Sequence, residues 1–399
     1  MWDRRRRFNG AWHGMSVRGG LPGPRSAPMR PAYAGAGAIL SGVGLARFAY
    51  VPLFPAMVAA GWVDGGQAGL LGAANFAGYL AGVLAGRRLA ARIGVPRALD
   101  AGMALAVAAF AACAWQGGVA WLLLWRALAG TAGGVLMALA GPSVQASVPP
   151  ERRGAASGIV MTGVGCGVIA GGVAVPLLLA GGLPAAWLGL AAATALVWVL
   201  ARRAWPDPPA LPREATAVAV PRAGRLLAAY ALSGAGMVAP MVYLADLAVR
   251  GRGLPIEAGS AVWIGFGLGA LLGTLLGGRL AGRIGGRRAL LVWMGVQVAA
   301  LAAALVPAWP ALVLAGPLGG FAGVGATAVT LVAAREVAGA QAGVVWVRAT
   351  AAYAVAQVGF AFALAALFDA TGDSHAAVFG VGLALSVAAL AVAWVGRRG

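Results

Sequence analysis

The chain has 399 residues, of which 61% are hydrophobic and 10% charged, with a formal net charge of +19 and a mean hydropathy of +0.85. A soluble domain carries roughly 25% charged residues because its surface meets water, so the composition excludes an ordinary soluble domain and points to lipid as the solvent. The charge does not indicate nucleic acid, because all 30 basic residues are Arg and they gather at the ends of apolar segments, not on one aromatic-interleaved face.

Residues 1–32 hold Arg4 to Arg7 and several Gly and Pro but no apolar run. They read as a disordered basic tail facing anionic lipid, and not as a signal peptide. Apolar segments then follow near 33–60, 66–90, 98–116, 119–146, 154–180 and 184–203. A second series lies near 225–249, 257–281, 288–306, 309–334, 343–367 and 375–396. Each is long enough to cross a hydrocarbon core, which needs about 20 residues. Backbone groups in lipid must be satisfied within the segment, so all twelve are expected to be helices. Between the two series, 204–224 contains five prolines and reads as an extended linker. The expected organisation is a tail (1–32), a six-helix bundle (33–203), the linker (204–224) and a second six-helix bundle (225–396).

Arginine placement sets the expected orientation. With the N-terminus cytoplasmic, only Arg250 and Arg252 fall on the outer side, and Arg47, Arg126 and Arg348 fall inside helices. Every other Arg lies on a cytoplasmic segment, as the positive-inside rule requires. Both termini are then expected to be cytoplasmic, in a multi-pass membrane protein.

The second and eighth helices carry an internal repeat. Residues 75–99 read NFAGYLAGVLAGRRLAARIGVPRAL, and residues 266–290, shifted by 191 positions, read FGLGALLGTLLGGRLAGRIGGRRAL. Gly78, Gly82 and Gly86 match Gly269, Gly273 and Gly277, spaced four apart on one helix face that admits a close neighbour. Both copies end on the same side, so six helices repeat in parallel after six.

The sequences Gly86 to Gly94 and Gly277 to Arg288 resemble the cytoplasmic loop motif of the major facilitator superfamily (MFS). The resemblance implies gating roles for Arg88, Arg92, Gly94, Arg279, Arg283 and Gly285. An acid that in the family helps latch the inward side shut is replaced by Ala91 and Gly282. Arg126 to Gly134 resembles the superfamily's R-x-x-x-G motif and implies a role for Arg126 in coupling or substrate binding. The stretches Gly44 to Met57, Gln67 to Gly82, Arg348 to Gln357 and Asp369 to Asp373 are similar to the bacterial YbfB/YjiJ subfamily. The fold so implied is an all-α membrane protein, the MFS fold of twelve transmembrane helices in two parallel six-helix repeats around a central cavity. A monomer is the superfamily default.

Arg47 falls near the middle of the first helix, where an ionised side chain costs at least ~2.5–3.5 kcal/mol unless it faces a cavity or a partner. It is the leading candidate to bind an anionic group, against a structural Arg held by backbone carbonyls. Asn75, Tyr79, Tyr243, Tyr353 and Gln357 are the other candidate substrate contacts, against helix–helix glue. Asp246 is the one acid well inside a span and the proton-coupling candidate. The spacing to Arg250, four residues on, favours a solvated interfacial pair over proton carriage. Cys113 and Cys166 have no metal or disulfide spacing, and His13 and His375 fall in the tail and a loop, so no metal or cofactor is expected.

No H-E-x-x-H, G-x-S-x-G or Walker sequence occurs, which speaks against an enzyme and against direct ATP drive. The expected function is secondary transport of a small organic solute by alternating access, with an anionic substrate and proton coupling as its finer form. Efflux of neutral or lipophilic compounds and a non-transporting sensor on the same frame are the alternatives. Lipid and a small solute are the expected partners.

Overall fold

The computed structural model describes residues 29–208 and 223–395. Most of the expected tail and linker therefore lies outside the described residues. Among those described, every regular element is helical. Eleven stretches are long and apolar enough to cross a membrane. One of them, Trp309–Ala370, is two helices joined at Gly339, whose φ of 51° breaks the first before a short turn starts the second.

We number the helices α1 (Arg30–Ala59), α2 (Gly65–Ile93), α3 (Val95–Cys113), α4 (Val119–Ser147), α5 (Arg153–Leu179) and α6 (Gly182–Ala201) in the first half. The second half holds α7 (Gly224–Val249), α8 (Ile256–Ile284), α9 (Gly286–Leu305), α10 (Trp309–Ala338), α11 (Ala342–Ala370) and α12 (His375–Val395). Helix α1 starts at Arg30, with Pro31 in its first turn, so the expected tail ends slightly early. Helix α2 begins with a capping box, in which Asp64 accepts from the Gln67 amide at 2.7 Å and Gln67 accepts from the Asp64 amide at 3.1 Å.

The repeat read in the sequence is a repeat of packing. Helices α2 and α4 cross with their backbones in contact: a Cβ at Gly78 or Gly82 would strike the backbone of Ala127 or Thr131, and one at Gly130 would strike Asn75. Helices α8 and α10 do the same through Gly269 on Pro317, Gly273 on Phe321 and Gly320 on Phe266. Without lipid-versus-lipid hydrophobic drive, such small-residue contact is what holds membrane helices together. The loops expected between α2 and α3 and between α8 and α9 are much shorter than the motif suggested. Arg88, Arg92, Arg279 and Arg283 are exposed residues of α2 and α8 themselves. Only Gly94 and Gly285 form the links, with φ of 85° and 89°, a region that favours glycine.

Two helices are interrupted. In α1 a wide π turn at Leu40–Leu45 leads through open turns at 46–49 into a second helical piece, Tyr50–Ala59. In α7 the break falls at Met237, between Gly224–Gly236 and Val238–Val249, and position 237 is position 46 shifted by the 191 residues of the repeat.

The halves meet through α1 with α7, α2 with α11 and α5 with α8. Gly165 faces Leu271, Gly172 faces Ile264, Gly72 faces Val242 and Gly65 and Gly66 face Asp373 and Asp369. These contacts run from mid-bundle toward the end carrying residues 60–64, 250–255 and 371–374. On the side of the termini, α4 packs on helices of the first half and α10 on helices of the second.

Candidate functional site

The break in α1 has a local cause. Pro52 has no amide hydrogen to give to Phe48, four residues earlier, and Gly42 and Gly44 let α1 press on Gly133 and Gly167. Trp263 Nε1 from the second half donates to the freed Phe48 carbonyl at 3.1 Å. Two other side chains converge on the neighbouring Ala46 carbonyl: Arg126 Nη1 donates at 2.9 Å and Asn75 Nδ2 at 3.3 Å. Asn75 Nδ2 also donates to the Arg126 carbonyl at 3.1 Å.

Arg47 stands between these two carbonyls in sequence and is 8% exposed. Its guanidinium lies 3.8 Å from the Phe76 ring centroid, 5.0 Å from Tyr79 and 5.2 Å from Phe48. Nη2 donates to Gln357 Oε1 of α11 at 3.0 Å, so Arg47 joins the two halves. Gln357 Nε2 has only the Met241 sulfur, at 3.4 Å, a weak acceptor. The Nε of Arg47 is buried and makes no hydrogen bond, as are Arg126 Nε and Asn75 Oδ1. Tyr353, one turn before Gln357 on α11, packs against Tyr230 with ring centroids 4.5 Å apart and planes tilted by 31°.

Arg47, Tyr79, Tyr353 and Gln357 thus form one cluster, with Asn75 and Arg126 beneath it. Arg126 is 1% exposed, with its guanidinium 4.4 Å from the Tyr50 ring, and it braces the α1 break. Tyr243 is not part of the cluster. It sits in an aromatic plug at the loop end, with Phe54 at 5.6 Å and Phe368 at 4.8 Å. Its position follows from the second piece of α7 turning toward α1 and α11 beyond the break.

Asp246, three residues after Tyr243, lies at the same end. It is paired with Arg250 as the spacing indicates, but it is fully buried where solvated pairing was the expectation. Arg250 Nε and Nη2 donate to its two oxygens at 2.7 and 2.9 Å, and Arg250 Nη1 donates to Asp373 at 2.8 Å. Burial works against the Arg250 charge, but its hydrogen bonds and attraction to Asp246 and Asp373 outweigh this and hold its pKa above the ordinary arginine value. His375 Nε2 lies 2.8 Å from Asp246 Oδ2. His375 is the first residue of α12 and not a loop residue, and its role carries no local sequence signal, since its partner is 129 positions away.

Arg88, Arg92, Arg279 and Arg283, assigned gating roles by resemblance, have no hydrogen-bond or ion-pair partner among the described residues. The acid that acts near this motif comes from α10: Glu336 accepts from the Gly286 amide and, at 2.9 Å, from the Arg287 amide, capping α9. Asp100 likewise ties α3 to α6 by accepting from Trp198 at 2.5 Å and Trp205 at 2.9 Å. No group of three or more metal-ligating side chains occurs among the described residues.

The family model described as the uncharacterised MFS-type transporter YbfB matches residues 39–393. The chain belongs to this family of MFS transporters. A search of curated proteins gives no match. Similar solved structures include a bacterial homologue of the human lysosomal transporter Spinster, inward-facing and unoccupied, at 17% identity and a TM-score of 0.67, covering 94% of this chain and 98% of that one. The same homologue in its inward-facing, occupied form gives 15% identity and 0.65 over 92% and 96%. A D-xylose–proton symporter gives 15% identity and 0.69 over 92% and 97%. The shared fold is the twelve-helix MFS fold, and this family member is a multi-pass membrane protein.

Proposed function

We propose that the chain is a secondary transporter that carries a small organic anion across the bacterial cytoplasmic membrane, by rocking its two halves about the Arg47 site. The observation that carries this reading is a charge imbalance at the meeting point of the halves. Arg47 and Arg126 are both more than nine-tenths buried, and neither is paired with a carboxylate among the described residues. A buried cation without a counter-ion is costly. A negatively charged solute removes that cost only while it is bound, which is the behaviour a transport site needs.

The arginine distribution supports cytoplasmic termini. In that orientation the packed end is the outer one. The Asp246, Arg250, Asp373 and His375 network then belongs to the outer closure. Its engaged carboxylates support a closing role for Asp246 more than the free proton carrier of the sequence reading.

The test is thermal unfolding of the purified chain against pooled anionic metabolites, with Arg47→Ala beside the wild type. A ligand at 100 times its Kd stabilises by about 2.7 kcal/mol, so at least one pool is expected to raise the wild-type Tm and leave the variant unmoved. No shift with any anion, or equal shifts in a folded variant, overturns the anion reading in favour of neutral or lipophilic cargo.

A further inference from the structure

The surroundings of Arg47 narrow the solute further, an inference that rests on the anion reading above. We propose that the site takes a monocarboxylate with an apolar or aromatic body, and that its carboxylate bridges Arg47 of the first half and Gln357 of the second.

Three observations carry this. The first is the count of reachable charge. Arg126 is turned to the Ala46 carbonyl beneath the Tyr50 ring, which leaves Arg47 as the cation that reaches Gln357 across the seam. A monoanion neutralises it.

The second is the donor geometry. Arg47 Nε is buried without a partner, and Gln357 Nε2 rests on a thioether. A carboxylate presents two oxygens and can accept from both at once, improving one donor that is idle and another that is poorly used. A phosphate brings at least three acceptor oxygens, more than these two donors can satisfy.

The third is the wall. Phe76, Tyr79 and Phe48 surround the guanidinium, Tyr353 stands one turn from Gln357 with its ring against Tyr230, and Met241 lies against Gln357. These surfaces offer apolar and aromatic contact and few hydrogen-bond groups, so a polyhydroxylated body would leave its hydroxyls unpaired. Because the two donors sit on opposite halves, the bound carboxylate itself ties the halves together.

The test measures binding to the purified full-length chain by isothermal titration calorimetry. The probes are benzoate, cyclohexanecarboxylate, lactate, phthalate, inorganic phosphate and neutral benzamide. Benzoate and cyclohexanecarboxylate are expected to bind at least about tenfold more tightly than the other four, a gap of about 1.4 kcal/mol. Arg47→Lys and Gln357→Leu are each expected to weaken benzoate at least about tenfold while keeping the wild-type elution profile and helical signal. Gln357→Leu also serves as the second variant should Arg47→Lys not fold. Preferred binding of lactate, phthalate or phosphate overturns this inference and leaves the anion reading standing. Equal binding of benzamide and benzoate, or no binding by any anion, overturns both.

Discussion

The two halves of this transporter share a scaffold and differ in what they bury at its centre. The first half places Arg47, Asn75 and Arg126 around the break in α1, with Arg47 Nε, Arg126 Nε and Asn75 Oδ1 left unpartnered. In the register of the repeat, Val238 stands for Arg47 and Phe266 for Asn75. One buried polar group of the second half lies away from that centre and is closed on itself. Gln297 accepts from Ser233 at 2.6 Å and donates to the Ser233 carbonyl at 3.0 Å and to Ser386 at 2.8 Å, joining α7, α9 and α12. A satisfied network fixes packing, whereas unsatisfied buried donors are poised for a ligand. The difference teaches that the duplicated architecture supplies the frame, and that the cation of the binding site comes from the first half.

The largest expected effect strikes what the halves share. Gly130→Val and Gly320→Val each force a side chain into the backbone of the partner helix at equivalent crossings. Each should cost about 1–3 kcal/mol or more, with similar losses of folded yield in size-exclusion profiles. A loss confined to one half would break the equivalence.

A pair of substitutions then separates the halves. Gln297→Leu strands the Ser233 hydroxyl, while Ser386 keeps the Gly382 carbonyl, and should cost about 1–3 kcal/mol, lowering Tm without changing solute affinity. Arg47→Met removes a buried charge that no acid balances, so it should leave Tm unchanged or raise it while abolishing binding. If Gln297→Leu impaired binding as much as Arg47→Met, the division between structural and binding polarity would fall. Smallest is Trp263→Phe, which deletes one hydrogen bond across the seam, about 1 kcal/mol. It should modestly raise the accessibility of cysteines placed at the loop-60 end.

Much of this frame was legible in the sequence. Lipid demands long apolar helices, and arginines and glycines punctuate them, so the twelve helices emerged within a few residues of their positions. The parallel repeat emerged from the matching glycines. Arg47, Tyr79, Tyr353 and Gln357 were legible as polar or aromatic groups at mid-span, because such groups are costly in lipid unless they face inward. Tyr243 shared that signature and went elsewhere, since the break at Met237 redirects the rest of α7, and hydropathy does not register a bend. The pairing of His375 with Asp246 and the capping of α9 by Glu336 were not legible, because both depend on which helices lie side by side. The arginines of the repeated motif suggested loops through charge alone, while helix α2 runs 29 residues, about 43 Å at 1.5 Å per residue. That length exceeds the ~30 Å core, so the arginines can stay helical and still reach water.

Pro52 gives the seam between the halves an inexpensive way to part. The Phe48 carbonyl that it frees accepts from Trp263 across the seam, but it also accepts from the Val51 amide at 3.2 Å within its own half. Whenever the halves separate, that oxygen keeps a local donor, so disengaging the indole strands no acceptor in the dry interior. The clasp is therefore reversible by construction: it adds to the docked state and leaves behind no debt that would hold the molecule there.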